Sequence, residues 1–211
     1  LIHQNWAGDS KLYPEVMDEL GIEPASNWDK RAMQGALDRF TDEQRADWDE
    51  VYRPINEEFK KIYPSMNEKE LMRWRYQRYM QDYLGCIAAV DEGVGSLLDY
   101  LDQEGLAENT IVFYYADHGG VLGRSKRYLY ETGTHVPMII RIPEKYRDLW
   151  PADKPGASID RLVSFIDMPV TWMSLAGAQI PSYVQGTIFL GEGTGDENEY
   201  HFAYRGRMDQ R

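Results

Sequence analysis

Apolar side chains recur at helical spacing over residues 68–103. Neighbouring members of this set lie three or four positions apart, a mean of about 3.6, which is the period of an α-helix. They are Met72, Tyr76, Tyr79, Tyr83, Ile87, Val90, Val94, Leu97 and Leu101. Asn67 can cap the start of this helix and Gly105 can end it. The spacing therefore predicts one long amphipathic helix, with its apolar face and Cys86 in the core.

Three short apolar runs downstream are typical of buried strands. They cover residues 110–115, 138–142 and 162–166, and the first is apolar on both faces, as strands between two helical layers are. Asp167 is placed to cap a further helix that extends through Leu175. A long helix, three strands and a helix predict an α/β layered fold with a mostly parallel sheet flanked by helices.

The first 68 residues have a different character, being polar, charged and aromatic, with four prolines. Thr41 followed by Gln44 forms a capping-box pattern that predicts a helix start, and we expect this helix to end before Pro54. We therefore divide the chain into an irregular, partly helical region over residues 1–68 and an α/β region over residues 69–211.

Composition limits the classes of function that the chain can have. Its 211 residues carry 35 acidic and 23 basic side chains, a net charge of −12, and 43% of them are hydrophobic. This balance excludes a disordered chain and argues against a general nucleic-acid or anionic-membrane surface, which needs clustered Lys and Arg. No apolar run approaches the roughly 20 residues that a membrane span requires. The single cysteine, Cys86, excludes an intrachain disulfide and a multi-cysteine zinc site.

Basic and aromatic residues alternate between Arg73 and Tyr79, which raises the alternative of a nucleic-acid-binding helix. On a helix, however, the tyrosines of this stretch fall on the apolar stripe and the arginines on the other face. We therefore interpret it as a solvated face with long side chains, and expect no nucleic-acid partner.

Candidate chemistry follows the first predicted strand. Asp117 and His118 come directly after it, at the sheet edge where α/β proteins bind ligands. Gly119 and Gly120 leave the chain free to bend, so that the carboxylate and the imidazole can converge on one ion. Taken alone, an aspartate in a turn is more often a backbone-bonding turn residue, and a lone histidine is usually structural.

A basic segment, residues 124–127, lies in the loop that leaves the same sheet edge. Within it, Lys126 beside a metal cation would attract a tetrahedral anion such as sulfate or phosphate. The alternative reading from composition is a solvated basic loop paired with surface acids.

Two motifs around these residues follow one another in order. They are YADHG at residues 115–119, and KRYLYETGTHVP at residues 126–137 with RIP at 141–143. Together they resemble the sulfatase family of the alkaline-phosphatase superfamily, whose pattern is Ser-Asp-(Asn/His)-Gly, then Lys-x-x-x-Tyr-Glu-Gly-Gly-x-x-Val-Pro and Arg-x-Pro. Further similar stretches cover residues 79–98, 162–186 and 202–209. The resemblance implies an alkaline-phosphatase-like layered sheet flanked by helices, which is incomplete in this chain. Residues 69–211 would supply the second half of that domain.

The resemblance also implies roles for individual residues. Asp117 would be an oxygen ligand of the active-site divalent cation, usually calcium in this family. His118 fills the place of a second ligand. Because calcium takes oxygen donors, His118 is either a weaker contact to the metal or the substrate, or the site accepts another metal. Lys126 would donate to the sulfate oxygens, and so both bind the substrate and assist its cleavage. Further candidates for approaching the substrate are Arg205 and Arg207.

One family feature is absent. Sulfatases make their nucleophile, a formylglycine, from Cys-x-(Pro/Ala)-x-Arg, whereas Cys86 precedes Ile-Ala-Ala-Val, and no serine fits the pattern. The paired N-terminal aspartates of the family's metal site find no match either. The chain opens on Leu1 without a start methionine or signal-peptide pattern and closes on Arg211, so we interpret it as an internal piece of a longer protein. We expect it to be inactive by itself.

The implied function is hydrolysis of sulfate esters by the full-length protein. Its substrate would be a sulfated small molecule or glycan, and the family suggests a periplasmic or secreted location. Two alternatives stay open: a phosphodiesterase or phosphonate monoester hydrolase of the same superfamily, and a non-catalytic sulfatase-like protein that binds anionic glycans. The nucleophile motif in the full-length protein would discriminate among them, whereas the natural substrate and the oligomeric state are not fixed by this sequence.

Overall fold

The computed structural model describes residues 11–22, 27–120, 122, 125–126 and 128–204, and the chain forms two compact units, Leu1–Gly95 and Ser96–Arg211. The helices of the first unit are α1 (Pro14–Glu19), α2 (Asn27–Leu37) and α3 (Asp42–Ile62), and α4 (Glu68–Gln103) begins in the first unit and ends in the second. The second unit continues with β1 (Val112–Tyr115), α5 (Glu131–Thr134), β2 (Met138–Arg141) and α6 (Asp167–Leu175). Short 3₁₀ segments cover Tyr63–Ser65, Ala107–Asn109 and Glu144–Leu149.

Helix α3 begins where the sequence predicts and continues further. The Thr41 hydroxyl accepts the Gln44 backbone N–H at 3.2 Å, and the Gln44 side chain accepts the Thr41 N–H at 3.0 Å, which confirms the capping box. The predicted end before Pro54 is wrong, because the helix passes through this proline. Proline removes one backbone hydrogen bond, but tertiary contacts of the later turns, where Asn56 and Phe59 are fully buried, outweigh that loss.

The core of the first unit combines residues from α1, α2 and α3 and from the segments beside α1. Its buried members are Leu12, Tyr13, Val16, Met17, Ile22, Met33, Leu37 and Phe59. The ring of Phe59 also packs on Trp74 of α4, with the ring centroids 4.1 Å apart. The charged and aromatic region of the sequence therefore forms a helical unit with its own apolar core.

Helix α4 confirms the predicted long helix and its predicted ends. The Asn67 side chain accepts the Glu70 N–H at 3.0 Å, and the Glu70 carboxylate accepts the Asn67 N–H at 2.9 Å. Past the last turn, Gly105 has a φ of +68°, the left-handed conformation that suits a glycine after a helix. In the described ranges, no helix is both long and apolar enough to span a membrane.

The predicted burial of the apolar face of α4 is wrong over its middle turns. The exposed residues there include Cys86, Ile87, Val90 and Leu97. Helical spacing identifies which face is apolar, whereas burial depends on a neighbouring element that covers this face. Cys86 is therefore an accessible thiol and not the core residue that the sequence suggests.

Strands β1 and β2 pair antiparallel, with Val112 opposite Arg141 and Tyr115 opposite Met138. The prediction of a mostly parallel sheet is thus wrong for the described part of the chain, where the sheet consists of these two strands. A parallel pair needs a long crossover, usually a helix, to carry the chain back to the starting edge. Among the described residues of the connection, 116–137, the four-residue helix α5 is too short to make such a crossover.

Residues 162–166 do not form the predicted third strand. The Ser164 N–H donates to Asp167 Oδ2 at 2.8 Å, and the Asn198 side chain donates to the same oxygen at 3.0 Å. The other oxygen of Asp167 accepts the Thr187 N–H at 2.7 Å. Backbone groups of this segment are therefore bound by a buried carboxylate instead of a neighbouring strand.

The core of the second unit holds the two strands against α6. Its buried members are Met168, Phe189 and Leu190, and the partly buried members from the strands are Phe113, Met138 and Ile140. At the end of β1, the Tyr115 ring lies 5.7 Å from the Phe165 ring, centroid to centroid. These contacts fix the end of β1, from which the predicted site residues follow.

Candidate functional site

The turn after β1 brings a carboxylate and an imidazole together. The side chains of Asp117 and His118 are 84% and 38% exposed, and His118 Nε2 lies 3.5 Å from Asp117 Oδ2. His118 Nδ1 lies 2.9 Å from the carbonyl oxygen of Gly119. Because a carbonyl only accepts hydrogen bonds, we assign the proton to Nδ1, and the lone pair of a neutral ring is then on Nε2. Nε2 and Asp117 Oδ2 are then two electron-pair donors 3.5 Å apart.

Lys126 adjoins this turn through its backbone. Its N–H donates to the carbonyl oxygen of Gly120 at 3.0 Å, so the loop that carries Lys126 is bonded to the turn that begins at Asp117. The lysine is half-buried. The three predicted residues therefore belong to two adjoining segments, and their chemical roles stay predictions.

Gly119 is required for space and not, as the sequence suggests, for bending. It does not have the left-handed φ that demands a glycine. A Cβ at this position would overlap the carbonyl oxygen of Thr132 and the hydroxyl of Ser125, and would lie 2.9 Å from the Cα of Gly133. The Gly119 N–H donates to the Gly133 carbonyl at 3.1 Å. The turn and the lysine loop thus meet backbone to backbone, without room for a side chain at Gly119.

Ser125 is the residue at this contact that sequence reasoning missed. Its side chain is buried, with the residue only 4% exposed, and its hydroxyl donates to the Thr132 carbonyl at 2.6 Å. Gly133 is confined by its own loop, because a Cβ there would overlap the carbonyl oxygens of Tyr128 and Ser125. The available signal was a small residue directly before the lysine, between two motifs that each contain one glycine.

The donor atoms at the end of β1 fit part of a cation site. Asp117 Oδ2 and His118 Nε2, 3.5 Å apart, can both contact one ion at bond lengths of about 2.0–2.6 Å. The carboxylate suits calcium, which takes oxygen donors, whereas the imidazole suits a softer ion such as zinc. In the part of the chain that the structure describes, no group of three or more His, Cys, Asp or Glu side chains could hold a metal.

Three other basic residues, Arg205, Arg207 and His135, belong to the stretches that resemble the sulfatase family. Arg205 and Arg207, predicted to approach the substrate, lie outside the described residues. His135, to which the sequence gives no role, has its Nδ1 2.7 Å from Glu131 Oε1, and both side chains are exposed. Glu131 begins α5 and His135 follows its last residue, so this pair is a local contact across one helical turn.

Comparison with known proteins gives a consistent result. The sulfatase family model matches residues 43–178. The chain is 36% identical over 152 residues to the N-acetylglucosamine-6-O-sulfatase of Bacteroides thetaiotaomicron and 38% identical over 148 residues to an ulvan-active sulfatase of Formosa agariphila, each match covering 70% of this chain. It is 29% identical over 126 residues, half of this chain, to the iduronate 2-sulfatase of Homo sapiens. These matches cover 26%, 23% and 23% of the three relatives, so the chain spans about a quarter of their length.

Proposed function

The chain belongs to the sulfatase family, as its motifs predict, and on that premise we propose that the full-length protein hydrolyses sulfate esters. The observation that carries the proposal is the 3.0 Å hydrogen bond from the Lys126 backbone N–H to the Gly120 carbonyl, which holds the main chain of Lys126 against the turn that bears Asp117 and His118. Membership also implies an alkaline-phosphatase-like α/β fold, to which the described helices and the two-stranded sheet contribute.

Lys126 would act on the charge of the sulfate group. Hydrolysis breaks the bond between sulfur and the ester oxygen; an oxygen from water ends on sulfur, and a proton from water ends on the released alcohol. Negative charge grows on the leaving oxygen while the non-bridging oxygens stay anionic. The lysine ammonium has three N–H donors for these oxygens. Its hydrogen bonds to the sulfate lower the activation barrier if they are stronger in the transition state than in the bound substrate.

Asp117 would be the carboxylate ligand of a divalent cation, calcium in the first instance. When bound, such a cation acts as a Lewis acid that polarises the sulfate group. His118 has two roles consistent with its Nδ1–H bond to Gly119. Its Nε2 would bind a cation softer than calcium, or, with calcium bound by other groups, a protonated ring would contact a sulfate oxygen.

The substrate class we propose is a sulfated glycan or a small sulfate ester. The names of the three relatives refer to N-acetylglucosamine, ulvan and iduronate, which supports a sugar sulfate. The formylglycine motif does not occur in these 211 residues, so we propose that they do not hydrolyse sulfate esters alone. Activity assays therefore require the full-length protein.

The test is Lys126→Ala in the full-length protein, assayed on 4-nitrophenyl sulfate. Loss of one preorganised donor to an anionic transition state should lower kcat about 10²–10³-fold, with an unchanged melting temperature. Lys154→Ala is the matched control, because Lys154 is an exposed lysine of the same unit, and its kcat should equal that of the wild type. Equal kcat for Lys126→Ala and the wild type would reject the proposed role.

The same assay distinguishes the two alternatives. Turnover of bis-4-nitrophenyl phosphate in place of the sulfate ester would indicate a phosphodiesterase. Binding of inorganic sulfate that depends on Lys126, without turnover of either ester, would indicate a non-catalytic protein that binds anionic glycans.

A further inference from the structure

Two segments that carry the proposed site are joined by a contact formed by Gly119, Ser125, Thr132 and Gly133, here called the glycine–serine contact, in which Gly119 and Ser125 are buried. The Gly119 N–H donates to the Gly133 carbonyl at 3.1 Å, and the Ser125 hydroxyl donates to the Thr132 carbonyl at 2.6 Å. Next to it, the Lys126 N–H donates to the Gly120 carbonyl at 3.0 Å. The lysine is thus one residue from Ser125, and His118 is one residue from Gly119.

Ser125 occupies the space that Gly119 leaves open. Its hydroxyl would overlap a Cβ built on Gly119, so the missing side chain of the glycine is what admits the serine. The residue is only 4% exposed. Without this hydroxyl, the Ser125–Thr132 hydrogen bond would be lost from a site where Ser125 itself is buried, which favours a local rearrangement of the loop.

We propose that Ser125 is a positioning residue for Lys126, an inference that rests on the proposed role of the lysine. A lysine side chain has four rotatable bonds, so the place of its ammonium group depends on how firmly its backbone is fixed. The glycine–serine contact fixes the backbone directly before Lys126 relative to the turn that bears Asp117 and His118. Electrostatic stabilisation is effective only when the charge is held in place before the reaction, and a shift of about 1 Å can cost about 10²-fold in rate.

Ser125 does not act on the substrate itself. Its hydroxyl is buried and donates to a carbonyl, whereas a nucleophilic serine is exposed and donates to a base. Its effect on the reaction therefore passes through Lys126.

A double-mutant cycle in the full-length protein tests this inference on 4-nitrophenyl sulfate. Ser125→Ala should lower kcat about 10–100-fold, and in the Lys126→Ala background the same change should lower kcat less than about twofold, because the positioned group is gone. Ser174→Ala is the matched control, since the Ser174 hydroxyl also donates to a backbone carbonyl, that of Glu192, at 3.1 Å. It should leave kcat unchanged in both backgrounds.

The outcomes separate this inference from the proposed function. If Lys126→Ala lowers kcat and Ser125→Ala lowers it by the same factor in both backgrounds, Ser125 has only a structural role and the inference is overturned. If Lys126→Ala has no effect, the proposed function fails first. Should Ser125→Ala not fold, Ser125→Cys, which replaces the hydroxyl with a larger and weaker donor, enters the same cycle with the same expectations.

Discussion

The side-chain oxygen of Asn56 accepts the backbone N–H of Tyr13 at 2.8 Å, across 43 positions of sequence. The Asn56 amide nitrogen donates to the carbonyl oxygens of Lys11 at 3.0 Å and Tyr52 at 2.8 Å. Asn56 is fully buried within α3, so its side chain satisfies three backbone groups, two of them in the segment before α1. One residue of α3 thereby fixes the start of the described chain to the helical unit.

Asn56→Ala should therefore lower the free energy of unfolding by about 2–4 kcal/mol, because it removes three hydrogen bonds and leaves the buried Tyr13 N–H without the acceptor that it faces. The measurement is urea unfolding at neutral pH. Gln34→Ala removes only an exposed amide contact to Asp38, at 2.7 Å, and should change the free energy by less than about 0.5 kcal/mol. A similar small change for both variants would contradict the buried network.

The ion pairs of Asp49 should make the stability of the fold depend on pH in the acid range. The pKa of Asp49 is lowered from 3.8 to about 2, chiefly by the hydrogen bond from Arg53 and next by that from Tyr13. A carboxyl with a depressed folded-state pKa stabilises the fold above its ordinary range, and that contribution is lost as the pH falls from about 4 towards 2. Asp49→Asn should lower the free energy of unfolding by on the order of 1 kcal/mol at pH 6, and by progressively less towards pH 2.

The control for this comparison is Asp47→Asn, an exposed aspartate of the same helix. Its unfolding free energy should follow that of the wild type over the whole pH range. If the difference between Asp49→Asn and the wild type were constant between pH 6 and pH 2, the ion pairs of Asp49 would not control the acid response.

Gly119→Ala tests the close approach of the two segments of the site. The added methyl group would overlap the Thr132 carbonyl oxygen, which belongs to the backbone and cannot rotate away. We therefore expect the free energy of unfolding to fall by about 1–3 kcal/mol. Gly93→Ala is the control, because a Cβ there meets nothing within 4 Å and the residue is in α4. It should stabilise the helix by about 0.5–1 kcal/mol. Opposite signs in thermal unfolding support the packing, and equal signs contradict it.

Asp117→Ala tests the proposed cation site by titration calorimetry of the full-length protein with calcium. Removal of a charged oxygen ligand should weaken binding at least about tenfold. Asp153→Ala, in an exposed loop of the same unit, should bind as the wild type does. Equal affinity for calcium in all three proteins would remove Asp117 from the ligand set.

Sequence reasoning succeeded where the interaction is local. The capping residues Thr41 and Asn67 and the terminating Gly105 act within one helical turn, so their patterns alone set the bounds of α3 at its start and of α4 at both ends. The strand pattern also placed Asp117 and His118 at the end of β1, and their roles stay predictions.

The misses all depend on distant partners. The spacing of apolar residues in α4 identifies its apolar face, but it does not show that Ile87 and Val90 on that face are exposed. The apolar run at 162–166 is not a strand, because Asp167 binds the backbone of Ser164 and Thr187 and is itself held by Asn198. Space-limited packing of Gly119 on Thr132 and Gly133 is likewise invisible to patterns read along one segment.

The backbone contact between Gly119 and Gly133 also limits how this site can be engineered. The turn accepts the lysine loop because Gly119 has no side chain, so a loop grafted from a relative would clash or leave a gap if transplanted singly. Residues 116–120 and 125–135 should be exchanged as one module, and a chimaera that carries both from the same donor should retain its native thermal stability.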